Sequence, residues 1–223
     1  MDEKIKPGVY ILAAIISAVA VIIAAILSHD KVIEVFLRAV GTKTIKIHAS
    51  PDFSGASIYL AGDDMLTFAE ANRIAGVGDT ETDQLTKSFF SFYLGDVPPD
   101  ADISEAEIRI LCDVVGSPEP LGRLVLREYG FGTYSQLAFY GAPSGNWGVG
   151  WRETDKAVAA CKYSNHLLVS GNSLVDIVQQ RLSARWIQFV FYFEGDLIIP
   201  NQSIDAIVLT DTPVLTLKYY VEP

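Results

Sequence analysis

Hydrophobic and polar positions along this chain fall into two regimes. Val9 to Leu27 is a run of nineteen uncharged residues, in which Val9, Tyr10, Ile11, Leu12, Ile15, Ile16, Val19, Ile22, Ile23, Ile26 and Leu27 supply apolar bulk on every helical face. At about 1.5 Å per residue, a helix of that length spans roughly the 30 Å hydrocarbon core of a bilayer. A buried soluble helix seldom stays apolar all round. The run therefore predicts a transmembrane anchor within residues 1–30. A cleaved secretory signal is one rival, because Lys4 and Lys6 precede the run. However, the run exceeds a usual signal core, and Ala24-Ala25-Ile26-Leu27-Ser28-His29 lacks the paired small residues of a cleavage site. A pilin-like processed helix is the other. Ala14 and Ala18, or Ala20 and Ala24, stand four apart and would let helices approach closely, although an Ala-rich composition places them there equally well.

Residues 31–43 read as a basic stalk, and 44–223 as one β domain whose signals are clearest over 86–223. Thr44, Lys46 and His48 alternate with Ile45 and Ile47, as in a half-buried strand. Asp63 to Arg73 reads as a short helix with Asp64 as N-cap and Gly76 beyond its end, and Gly76 to Thr86 as a polar loop. Phe90, Phe92 and Leu94 share a face, and the bend Gly95-Asp96-Val97-Pro98-Pro99 ends that strand. Further strands follow: Ile108, Ile110, Cys112 and Val114; Leu124 and Leu126; Ile187, Phe189, Phe191 and Phe193; Ile204 to Leu209; and Leu215, Leu217, Tyr219 and Val221. One helix interrupts them: Ser173-Leu174-Val175-Asp176 reads as a capping box, with Leu174, Ile177 and Val178 as its apolar stripe. The fold class expected is all-β, an antiparallel jelly-roll sandwich with one or two short helices, preceded by the transmembrane helix.

Charge narrows the partners. The chain's formal net charge is -10, yet residues 1–46 hold six Lys/Arg against four Asp/Glu, so the body beyond them carries -12. An acidic body of that size argues against nucleic acid, whose phosphates need Lys and Arg. Lipid attraction belongs to the stalk. Lys4 and Lys6 before the span, against Lys31, Arg38, Lys43 and Lys46 after it, place the large domain on the cytoplasmic side.

Candidate chemistry is sparse. Cys112 continues an apolar alternation and reads as a buried structural thiol, with a bond to the other cysteine, Cys161, as the alternative. His29, His48 and His166 lack ligand spacing, and Asp63/Asp64, Asp100/Asp102 and Glu105/Glu107 read as solvated turns, since no calcium-loop pattern accompanies them. No nucleophile-elbow, phosphate-loop, zinc-protease or paired-cysteine motif occurs, so no catalytic, cofactor or metal residue is assigned and an enzyme is not expected. Asn201-Gln202-Ser203 is a lone glycosylation sequon. Tyr129, Phe131, Tyr134, Tyr140, Trp147 and Trp151, set among glycines, form the candidate interface, rigid aromatic surface on adaptable loops; filling the sandwich core is the plainer use of the same rings.

Two resemblances add to this reading. Phe89-Phe90-Ser91-Phe92-Tyr93-Leu94, the turn through Pro98 and Pro99, and Ile103-Ser104-Glu105-Ala106-Glu107-Ile108-Arg109-Ile110 resemble the start of DNRLRE-type jelly-roll domains. Leu174 to Val178 with Trp186, and Pro213 to Tyr219, resemble that family's later segments, so the likeness covers roughly residues 87–223 and implies fold more than function. The whole layout of one span, a basic stalk and an acidic jelly roll is similar to the penton base of turreted icosahedral archaeal viruses with an internal membrane. That resemblance implies a homopentameric vertex protein in the virion, contacting neighbouring capsid and turret proteins and the lipid bilayer, with no cofactor. A membrane-anchored archaeal cell-surface module that binds a glycan or protein, with Trp147 and Trp151 stacking on sugars, is the alternative, and a pilin-like subunit the third.

Overall fold

In the computed structural model the chain divides into two units, residues 1–42 and 43–223. The structure describes residues 41–51, 54–60, 63–68, 76–130, 148–150, 154–194 and 199–221. The expected anchor, Val9 to Leu27, lies outside them, as does nearly all of the stalk. Among the described residues, no helix is long and apolar enough to cross a membrane.

The second unit is antiparallel β. Its strands are β1 (Lys43–His48), β2 (Gly55–Leu60), β3 (Asp63–Phe68), β4 (Gly76–Asp79), β5 (Leu85–Tyr93), β6 (Asp102–Val115), β7 (Arg123–Glu128), β8 (Gly148–Gly150), β9 (His166–Ser170), β10 (Trp186–Glu194), β11 (Asp205–Leu209) and β12 (Val214–Tyr220). They bond into one curled sheet, ordered β1-β12-β6-β11-β4-β5-β10-β7-β8, with β9 on β6 and the β2–β3 hairpin on β5. Two helices, α1 (Thr154–Ser164) and α2 (Asn172–Arg181), pack against β6 and β9.

β6 is the hub. Residues 102–109 pair with β12, 107–111 with β9 and 112–115 with β11, so one strand of 14 residues joins the β1–β12 and β9 side of the sheet to the side that begins with β11. Its period-two pattern explains how: Ile108, Ile110 and Cys112 are buried, while Arg109 and Asp113 face solvent. Both sides of the sheet contribute to one core, Leu215 and Leu217 from β12 and Phe90, Phe92, Phe189 and Phe191 from β5 and β10. β10 departs from alternation because it is buried on both faces. Ile187, Phe189, Phe191 and Phe193 enter the main core, and Val190 and Tyr192 join Phe89 and Val125 in a second cluster.

Four expectations are corrected. Residues 63–73 do not begin a helix: 63–68 form β3, paired with β2 in the register Ser57↔Phe68 through Leu60↔Asp63. Short apolar runs satisfy helical and strand periods alike, and a partner strand decides between them. The polar loop 76–86 is β4, a turn and the start of β5. In that turn the Thr80 N–H donates to the Gln84 carbonyl at 2.9 Å, and Asp83 takes a left-handed φ of 54°. The helix expected near Ser173 is present, but its N-cap is Gly171 and no side chain caps it; Ser173 lies inside the first turn. Finally, Cys112 and Cys161 are joined in a disulfide.

Candidate functional site

Of the expected interface residues, Tyr129 is described; Phe131, Tyr134, Tyr140, Trp147 and Trp151 lie outside the described residues. Tyr129 extends β7 by one rung, its N–H donating to the Gln188 carbonyl at 2.9 Å, and its half-buried side chain packs on the second cluster. Around that cluster lies a charged rim. Lys87 Nζ stands 5.2 Å and the Arg127 guanidinium 5.9 Å from the Tyr192 ring centroid, both within cation–π reach. Arg123 and Arg127 both pair with Glu194, and Arg181 with Glu128. Further along, the Tyr93 and Trp186 rings meet at a tilt of 53° with centroids 5.0 Å apart. The Tyr93 ring folds over Gly95, where an added Cβ would lie 2.1 Å from it.

A polar groove of about 480 Å³ opens beside β6 and β12, between the β-bulge near Lys218 and the start of α2. Glu105, Glu107, Ser170, Asn172, Thr216 and Lys218 line it. Glu105 is paired with Lys218 at 2.7 Å, so the two glutamates are not a free carboxylate couple. Asp100 lies in the turn before β6 and is exposed, whereas Asp102, also exposed, is the first residue of that strand, and Glu105 and Glu107 lie within it rather than in a turn. His48 ends β1 opposite Val214, and His166 opens β9 opposite Leu111, so the two described histidines are not brought together. Among the described residues, no group of three His, Cys, Asp or Glu gathers to hold a metal ion.

A feature that sequence reading passed over is a buried acidic pair. Asp79 of β4 stands directly opposite Asp205 of β11, and they are 1% and 3% exposed. Asp205 Oδ1 accepts the Ser117 N–H at 2.6 Å, and Oδ2 accepts Asn201 Nδ2 at 2.7 Å. Asp79 Oδ2 accepts the Ile199 N–H at 2.7 Å, while its Oδ1 is buried with no hydrogen-bond partner among the described residues. Burial pushes the Asp79 carboxyl above its ordinary range. The Ile199 and Thr80 backbone N–H groups pull it down, and the charges of Asp83 and Asp205 push it up. The Asn201 sequon is tied into this corner, since its amide nitrogen already holds Asp205. Glycines in β4 and after β6 were the available signal, because they mark close backbone approach.

No protein-family model matches the chain, and a comparison with curated proteins finds no match either.

Proposed function

We propose that this protein is a membrane-anchored structural subunit, a penton base that forms the five-fold vertex of a virion with an internal membrane and supports a turret. Val9 to Leu27 fixes the chain in lipid, and the β domain, read as a jelly roll, packs side by side with four copies of itself and with neighbouring capsid and turret proteins. The observation that carries this reading is the seating of β1. The chain enters the domain at Lys43, opposite Tyr219, and six consecutive residue pairs tie β1 to β12. β12 in turn lies on the β6 hub. A load along the incoming chain is therefore shared by a whole ladder rather than by one bond. Lys43 and Lys46 on that strand discourage stray edge pairing. The acidic body supports protein and lipid partners over nucleic acid.

A second reading, a cell-surface module, is favoured by the disulfide, since such bonds persist mainly in oxidising compartments. The polar groove lined by Glu107, Ser170 and Asn172 offers donors and acceptors suited to a glycan. Purified particles decide between them. The vertex reading expects this chain at vertices in multiples of five; its absence from particles, together with protease-accessible domain on intact cells, would leave the surface module.

A further inference from the structure

We propose that Asp79 is a proton-operated latch: a proton on its Oδ1 closes the corner where β4, β11, the turn after β6 and residues 199–203 meet, and loss of that proton loosens it. The corner is built to close tolerances. An added Cβ on Gly78 would lie 2.3 Å from the Asp205 carbonyl oxygen, and one on Gly116 would lie 2.3 Å from Asp205 Oδ1. Both glycines have positive φ, 142° and 67°, which L side chains rarely adopt.

Within this corner the two acids are not equivalent. Both Asp205 oxygens accept hydrogen bonds, whereas Asp79 has one oxygen engaged and, among the described residues, one buried without a partner. A carboxylate oxygen in that state carries an uncompensated charge-desolvation cost, and protonation lowers it by neutralising the group. Among the described residues, the charged groups that act on Asp79 are Asp83 and Asp205, both acidic, so no cation offsets its charge. Asp83 also holds the same segment, accepting the Gln202 N–H at 3.2 Å. Each acid thus fixes a different point: Asp79 the Ile199 amide, Asp83 the Gln202 amide and Asp205 the Ser117 amide.

The direction of the pH response follows. A carboxyl whose folded-state value is raised binds its proton more tightly in the folded chain than in the unfolded one, so its support is present in acid and is lost as pH rises through the raised value. The test is hydrogen exchange of the full-length chain in detergent micelles between about pH 4 and pH 8, corrected for intrinsic rates. Peptides covering Ser117 and Ile199 to Asp205 are expected to open roughly tenfold more often at the upper end, and Asp79→Asn to abolish that rise, keeping them protected throughout. If Asp79→Asn does not fold, Asp205→Asn is expected to move the transition to lower pH by removing the facing charge. Exchange that is flat with pH in the unmodified chain, or rises equally in Asp79→Asn, overturns the latch. So does protection restored at neutral pH by calcium chloride alone, which would make the pair a cation site.

Discussion

Cys112 on the inner face of β6 is bonded to Cys161 on α1, with Cα atoms 5.2 Å apart and a sequence separation of 49. The bond closes a loop that contains β7, β8 and most of α1, and both sulfurs are fully buried among core residues. Removing loop-closure freedom from the unfolded chain at this separation is worth about 4 kcal/mol. The pair Cys112→Ala and Cys161→Ala is expected to lose about that much by denaturant unfolding, and each single variant to lose nearly as much. Free-thiol counting under denaturing, non-reducing conditions should find none in the unmodified chain.

Gly78 is expected to be the least replaceable residue of β4. Its φ is 142°, and an added Cβ would overlap the Asp205 carbonyl and Ala206 of the neighbouring strand. Backbone cannot swing aside as a side chain can, so Gly78→Ala should cost more than about 3 kcal/mol. Gly95→Ala meets first the half-exposed Tyr93 ring and should cost about 1 kcal/mol, the worth of that ring's contact with Trp186. Thermal melts of the two variants separate a rigid clash from a movable one.

Phe189 sits at the centre of the main core, with its ring edge-on to Phe92 at 6.1 Å. Phe189→Ala should cost about 3–5 kcal/mol through lost burial and the cavity left behind. Glu194→Gln, which weakens two partly exposed ion pairs, should cost less than about 1 kcal/mol. Urea midpoints of both variants test whether packing or surface charge holds this sheet.

Gln179 clips α2 to the start of β6 as a strand would. Its Oε1 accepts the Ile103 N–H at 2.8 Å and its Nε2 donates to the Ala101 carbonyl at 2.9 Å. Gln179→Ala leaves both backbone groups without that partner and is expected to cost about 1–3 kcal/mol. Faster amide exchange at Ile103, with the rest of β6 unchanged, is the accompanying signature.

Much of the fold was legible because most strands obey a simple period. Ile108, Ile110 and Cys112 alternate with Glu107, Arg109 and Asp113, interrupted only by Leu111, and Leu215, Leu217 and Tyr219 alternate with Thr216 and Lys218; each run is a strand in the structure. The failures have physical causes. β4 reads Gly-Val-Gly-Asp, which propensity assigns to a loop, yet the glycines are there so that β11 can pass close by. α1 was missed although Ala157, Val158 and Cys161 share a buried stripe, since small residues give a weak apolar signal. That helix brings Cys161 to Cys112, so missing it meant reading a buried thiol where there is a bond. The Asp79–Asp205 pair depends on register between strands 126 residues apart, which no local pattern encodes.

The proposed vertex role requires a lipid-held chain that assembles around a five-fold axis. Native mass spectrometry of the full-length chain, released from membranes in detergent micelles, measures this most directly. A dominant species at five times the 24.3 kDa chain mass is the predicted result, and a chain that leaves membranes without detergent, or remains at 24.3 kDa within micelles, contradicts it.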